Sequence, residues 1–274
     1  MKRIFTAVIL IPLAVALILW GPFWLQMSAT CVIAELALYE YLVLADASGT
    51  RSPRWLVLIC CAVLFAVAYW IPNFLLPTMG IFALALLGVC SLRSPLERVL
   101  GDAALGFFGL MYVAFPLVLA PLLTTLENGT AQLLFLMVVV WAGDATALYV
   151  GGQFGRHRMA PILSPKKTWE GAAGSMFGSI VAGLAVVACG SDLYRHGIML
   201  LLYAQPWLYW VGMAILLNIA AQIGDLLESA IKRGAGLKDS GSLLPGHGGM
   251  LDRVDALLLA LPVLWYALHF RQSY

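Results

Sequence analysis

Apolar residues run almost unbroken along the chain. The Gly, Pro and charged positions that interrupt them mark out nine segments, 4–20, 23–45, 54–71, 73–91, 103–124, 131–151, 172–190, 206–231 and 251–270. Each is close to the roughly 20 residues that an α-helix needs to cross a bilayer. The pattern therefore predicts an all-α, polytopic integral membrane bundle of about nine transmembrane helices. The stretch 191–206 departs from it: the apolar run from Ile198 to Ala204 is too short to span and reads as a re-entrant or interfacial piece. Residues 1–130 form an N-terminal group of helices with a weakly specified sequence. Residues 131–274 carry polar groups inside and between their helices and read as a catalytic membrane region with two polar loops, 152–171 and 232–250.

Composition strengthens this reading. Hydrophobic residues make up 62% and charged residues 11% of the 274 positions, with mean hydropathy +0.92, where a soluble domain carries about 25% charged residues. A water-soluble globule is excluded. The start Met1-Lys2-Arg3 and the apolar run behind it imitate a signal peptide, but no small-residue cleavage site precedes Gly21-Pro22, so a retained first span is expected. Five cysteines, at 31, 60, 61, 90 and 189, lie in apolar segments without metal-ligand spacing and are expected to pack in the core. Abundant Trp and Tyr fit aromatic belts at the two membrane interfaces.

The net charge of +2 says little by itself, but the placement of the charges is informative. With nine spans, one side collects Lys2, Arg3, Arg51, Arg54, Arg93, Arg98, Arg156, Arg158, Lys166, Lys167, Lys232, Arg233, Lys238 and Arg253, which is 14 of the 16 basic residues. Arg195 and Arg271 fall on the other. Basic residues crowd cytoplasmic loops, so the N-terminus and both polar loops are expected in the cytoplasm and the C-terminus outside.

The first loop contains Ser164-Pro165-Lys166-Lys167-Thr168-Trp169-Glu170-Gly171. Paired lysines flanked by hydroxyls and opening onto a helix start suit phosphate, because backbone amides and the helix dipole add to the ammonium charges. Five acids, Asp144, Asp225, Glu228, Asp252 and Asp255, fall inside predicted helices near one membrane face. A carboxylate at a helix centre costs about 2.5–3.5 kcal/mol on insertion scales, so compensating charge is required. Asp225, Glu228, Ser229 and Lys232 follow helical spacing and share a face, as do Asp252 and Asp255. Oxygen donors gathered in this way suit Mg²⁺, which combines one or two carboxylates with substrate phosphates. Internal salt bridges, Asp225 or Glu228 with Lys232 and Asp252 with Arg253, are the plainer alternative. Between the acidic helices lies Pro245-Gly246-His247-Gly248-Gly249, whose glycines allow a phosphate close to the backbone or form an amide nest. His247 suits ligand contact or proton handling there. Glu35 and Glu40, also at membrane depth, receive no role.

The run Ser229-Ala230-Ile231-Lys232-Arg233, Lys238-Asp239-Ser240-Gly241 and Leu244-Pro245-Gly246-His247-Gly248-Gly249-Met250-Leu251-Asp252-Arg253-Val254-Asp255 resembles the signature of the bacterial phosphatidate cytidylyltransferases, or CDP-diacylglycerol synthases. The segments 164–171 and 224–229 resemble that family too, and the likeness is specific over 141–255. It implies that CTP and phosphatidic acid react to give CDP-diacylglycerol and pyrophosphate at a bacterial inner membrane. The resemblance implies Asp225 and Asp252 as metal ligands, with Asp144 and Asp255 as further ligands or as supports behind the ligands, for Mg²⁺ and a second cation open to a monovalent ion. It implies Lys166, Lys167, Lys232, Arg233, Lys238 and Arg253 as phosphate holders, and Glu228, Ser229 and His247 as orienting groups. Ser164, Gly248 and Gly249 complete the expected substrate contacts, and Lys167, Asp225, Asp252 and His247 the expected catalytic set. The resemblance suggests a homodimer, and no nucleic-acid partner is expected.

Two other classes fit parts of the pattern. A CTP-dependent lipid or polyprenol kinase would need the same phosphate and metal groups. An ion-coupled transporter would also place acids in a bundle, though its acids belong at the midplane between repeats and no duplicated half is visible. The chain contains no Asp-Gly pair, as a CDP-alcohol phosphotransferase motif would need, and no Gly-Lys-Ser or Gly-Lys-Thr of a P-loop.

Overall fold

The structure is a computed structural model that describes residues 2–197, 201–241 and 248–272, with side chains over 10–197, 201–241 and 248–269. Among them the helical rods follow the predicted segments: α1 Lys2–Trp20, α2 Phe23–Ala47, α3 Arg54–Trp70, α4 Leu75–Arg93, α5 Val99–Gly109, α6 Phe115–Leu123, α7 Gly129–Phe154, α8 Trp169–Arg195, α9 Trp207–Gly234 and α10 Leu251–Gln272. A π turn, Leu110–Ala114, joins α5 to α6, so Val99–Leu123 is one rod. Six rods among the described residues are long and apolar enough to cross a membrane, while α3 is shorter at 17 residues. The chain is an integral membrane protein.

Two expectations change. The loop 152–171 holds a β-hairpin, β1 Arg158–Ala160 antiparallel to β2 Ser164–Thr168, and α8 begins at Trp169 rather than at 172. Of the cysteines, only Cys60, Cys61 and Cys90 are buried; Cys31 is half-buried and Cys189 exposed, and all five are free thiols. The stretch 191–206 is partly the end of α8. Ile198–Leu200 lies outside the described residues, and 201–206 has no regular structure but buries Leu201 and Tyr203.

Residue contacts divide the chain into two compact units. The first comprises 1–13, 21–122 and 230–254, the second 14–20, 123–229 and 255–274. In the first, α2 packs on α3 and on the Val99–Leu123 rod, where the Tyr41 ring lies against Gly109 and its hydroxyl donates to the Leu105 carbonyl at 3.2 Å. Asp102 is 1% exposed and tolerates burial because its carboxylate is satisfied. Arg51 N–H donates to it at 2.9 Å and Ser94 Oγ at 2.6 Å. Arg54 pairs with Asp46, closing the turn between α2 and α3.

In the second unit α7 and α8 pack closely because α8 presents small residues along one face. A Cβ at Gly174 would come within 2.7 Å of the Val150 side chain, and one at Gly178 would strike Thr146. Small residues of this kind let membrane helices approach through van der Waals packing and interhelical hydrogen bonds. The bonds are present. Asn218 Nδ2 of α9 donates to Ser175 Oγ and Ser179 Oγ of α8, each at 2.8 Å; Ser179 Oγ donates to the Val139 carbonyl of α7 at 2.7 Å; and Gln222 Nε2 donates to Asn218 Oδ1 at 2.6 Å. At the far end the rings of Phe135, Tyr203 and Trp210 pack in tilted and edge-on arrangements, and the Tyr203 hydroxyl donates to the Ala131 carbonyl at 2.9 Å.

Gly143 of α7 sits at the centre of this network. A Cβ there would lie 2.6 Å from Ser179 Oγ, 2.8 Å from Asn218 Nδ2 and 2.9 Å from Ser175 Oγ. Gly143→Ala is expected to lower the thermal midpoint in detergent. Overpacking costs about 1–3 kcal/mol and outweighs the gain of about 0.5–1 kcal/mol in helix propensity. Gly212→Ala on α9, where a Cβ meets nothing within 4 Å, should leave the midpoint unchanged or raise it.

Candidate active site

On α9, Asp225 and Glu228 are one helical turn apart. Gly224 lets the backbone of α10 approach so closely that a Cβ there would lie 2.6 Å from the Asp255 carbonyl oxygen. As a result the carboxylates of Asp225, Glu228 and Asp255 offer oxygens within 4.8 Å of one another. Glu228 is fully buried, and Asp225 and Asp255 are half-buried. Two ionised carboxylates at this distance repel by about 3 kcal/mol at an effective dielectric constant near 20. Three hard oxygen donors in a partly desolvated place match a divalent cation of the Mg²⁺ type.

The hairpin brings the first cation. Lys167 Nζ lies 2.6 Å from Asp225 Oδ2, with both side chains partly covered, and Asp144 of α7 is within Coulombic reach of both. Alternation along β2 leaves Lys166 exposed while Lys167 turns inward. Thr168 then caps α8, its Oγ1 accepting from Gly171 N–H at 3.1 Å. Glu170 holds the entry to the hairpin: its carboxylate accepts from the backbone N–H groups of Arg156 at 3.0 Å and His157 at 3.2 Å, and His157 Nδ1 lies 2.6 Å away. Trp169 N–H donates to the His157 carbonyl at 3.0 Å, and Arg158 Nη1 to the Pro165 carbonyl at 2.5 Å. The second unit therefore gathers Asp144, Lys167, Asp225, Glu228 and Asp255. Ser164 stands half-buried at the start of β2, and Ser229 is buried on α9.

The first unit holds a separate arrangement. Lys232 Nζ lies 2.5 Å from Asp252 Oδ1, with both side chains largely covered. Asp252 Oδ2 accepts from Gly249 N–H at 2.9 Å and Ser240 N–H at 3.2 Å. Gly248 has φ +76°, a left-handed conformation that glycine adopts without strain, and a Cβ there would meet Asp252 Oδ2 at 2.6 Å. Arg233 Nη1 donates to the Leu237 carbonyl at 3.0 Å; Lys238 and Arg253 are exposed. His247 lies outside the described residues.

Of the four expected metal ligands, Asp225 and Asp255 belong to the carboxylate trio, and Glu228, expected to orient substrate, is its third member. Two ion pairs are formed here, Lys167 with Asp225 and Lys232 with Asp252. Residues not singled out in the sequence also shape the surroundings, notably Asn218, Gln222 and Glu170. The i, i+4, i+7 spacing of 218, 222 and 225 on α9 was the one available signal for the first two.

The model of the cytidylyltransferase family matches residues 1–271. A phosphatidate cytidylyltransferase of Brucella abortus biovar 1 (strain 9-941) is 43% identical over 159 residues, 57% of this chain and 54% of the relative. One of Staphylococcus aureus (strain COL) is 37% identical over 140 residues, 51% of this chain and 50% of the relative. The protein YnbB of Escherichia coli (strain K12) is 32% identical, over 93% of this chain and 83% of its own length. The chain spans about half the length of the phosphatidate cytidylyltransferases it matches.

Glu170→Ala removes the acceptor of two backbone amides at the hairpin entry. Limited trypsin digestion is expected to cut after Arg156, Arg158 or Lys166 several-fold faster than in the unaltered protein, with cleavage elsewhere unchanged. Equal rates at these sites would show that Glu170 does not hold the hairpin.

Proposed function

The chain belongs to the cytidylyltransferase family, and from that premise we propose that it transfers the CMP unit of CTP to phosphatidic acid, yielding CDP-diacylglycerol and pyrophosphate. The observation that carries this reading is the convergence of Asp225, Glu228 and Asp255 with the hairpin lysine Lys167 on Asp225. Such a set handles a metal-bound polyphosphate. Relatives bearing the name phosphatidate cytidylyltransferase supply the nucleotide and lipid classes. The reading includes a bacterial inner membrane with the two loops on the cytoplasmic side, as the basic residues argue.

In the reaction a phosphatidate oxygen attacks the α-phosphorus of CTP. A new P–O bond forms, the α–β anhydride bond breaks, and the electron pair leaves with pyrophosphate. A phosphate monoester has its second pKa near 6, so the attacking oxygen is largely ionised at neutral pH and the chain need not remove a proton. Catalysis then rests on positioning and charge. Asp225, Glu228 and Asp255 would hold Mg²⁺, with Asp144 close by; the ion, when bound, offsets negative charge on the phosphates. Lys166 and Lys167 draw phosphate oxygens towards the start of α8, where the helix dipole adds to their charge. Lys232, Arg233, Lys238 and Arg253 supply further positive charge. Lys232 also orients Asp252.

Asp225→Asn and Asp255→Asn are expected to lower kcat by about 10²–10³-fold, the usual loss when one electrostatic stabiliser is removed. Protein yield and membrane insertion should be unchanged, and Mn²⁺ binding followed by electron paramagnetic resonance should weaken at least about tenfold, 1.4 kcal/mol being tenfold. Near-normal turnover or unaltered Mn²⁺ binding in both variants removes the trio from the metal role. With CTP labelled in cytosine, purified protein should move the label into lipid. A CTP-dependent lipid kinase would leave it in water-soluble CDP.

A further inference from the structure

Glu40 takes no part in the proposed chemistry, yet it is 2% exposed and held by groups 200 and 211 residues away. It lies on α2, two turns before the helix ends at Ala47. Its Oε2 accepts from Ser240 Oγ at 3.0 Å and from the backbone N–H of Leu251 at 2.8 Å. Leu251 opens α10, and the first N–H groups of a helix have no acceptor within their own helix. A carboxylate at that point also complements the helix dipole. Glu40 therefore caps α10 from another helix.

The same carboxylate accounts for two glycines. A Cβ at Gly241 would lie 2.6 Å from Glu40 Oε1, and one at Gly249 would run into Glu40 Oε2 and Ser240 Oγ. Neither position admits a side chain while Glu40 is in place. Ser240 is held twice, through its hydroxyl by Glu40 and through its N–H by Asp252, and Gly249 N–H is held by Asp252. Both described ends of the segment joining α9 to α10 are thus fixed on α2, next to the carboxylate that pairs with Lys232.

We propose that Glu40 is a positioning residue: it clamps Ser240 and Leu251 to α2, sets the start of α10 and thereby aims Asp252 at Lys232. Gly241 and Gly249 are glycines because the Glu40 carboxylate occupies the space of their side chains, rather than to admit a phosphate. The effect on turnover rests on the cytidylyltransferase reading, whereas the clamp itself does not.

The test uses the full chain in detergent and the variants Glu40→Ala, Glu40→Gln, Gly249→Ala and Glu40→Ala with Gly249→Ala. Glu40→Ala should lower kcat by about 10–100-fold, as a displacement near 1 Å does, with KM for CTP changed less than about threefold because binding groups remain. Deuterium uptake should rise over 238–251 and stay constant in α7 and α8. Gly249→Ala alone should be impaired, and truncating Glu40 in the same chain should restore part of the lost kcat, since the obstructing carboxylate is gone. If Glu40→Ala does not fold, Glu40→Gln keeps the volume and should raise uptake over 238–251 to a smaller degree. Unchanged uptake in the folded variants overturns the clamp, and so does a double variant no more active than Gly249→Ala. If the unaltered chain makes no CDP-diacylglycerol, the assigned reaction fails while the uptake comparison still decides the clamp.

Discussion

A carboxylate is tolerated among apolar helices only where positive charge or well-aimed donors compensate for the water it has lost. That constraint organises the acidic residues here. Asp225 has Lys167, Asp252 has Lys232 and two backbone amides, Asp102 has an amide and a hydroxyl, and Glu40 has a helix N-terminus and a hydroxyl. Asp225, Glu228 and Asp255 bring carboxylate oxygens within 4.8 Å of one another, with Lys167 on Asp225. Hard oxygen donors gathered in this way are of the kind that suits a divalent cation.

Close backbone approach makes these pairings possible. Gly224 permits the contact of α9 with α10 that brings Asp225 beside Asp255, and Gly174 and Gly178 permit that of α8 with α7. Asn218, Ser175 and Ser179 then fasten the three helices by hydrogen bonds, which hydrophobic attraction cannot do between surfaces that are equally at home in lipid. The polar network thus fixes the face of α9 from which Asp225 projects.

Much of the helical framework was legible in the apolar runs, because a membrane imposes length and polarity on every span. The hairpin was not, since Arg158–Thr168 is short, basic and interrupted by Pro161 and Pro165, and its strands carry no apolar alternation. Helical spacing correctly put Asp225 and Glu228 on one face. It could not choose between Asp252 and Asp255 as their partner, because that choice depends on how the first turn of α10 is capped: Asp252 turns back to the amides of Gly249 and Ser240. Two ion pairs are made across 58 and 20 residues, Lys167 with Asp225 and Lys232 with Asp252, beyond the reach of helical spacing. Glu40 was conspicuous as an acid at membrane depth, but its partners lie some 200 residues on, beyond the reach of any local pattern.

The pairing of Lys167 with Asp225 does not conflict with a role in holding phosphate. An ammonium group carries three N–H donors on a flexible stem, and a carboxylate at 2.6 Å occupies one of them. The aspartate directs the lysine while β2 is joined to the cap of α8 through Thr168. An arginine at this position would present a planar fork that one carboxylate can occupy with two parallel bonds, leaving less of it for a second anion. A point charge with several donors can serve a carboxylate and a second anion together. The same reasoning explains why the hairpin is tied by Glu170 to its own backbone amides rather than to the lysines: the restraint is supplied without spending their charge.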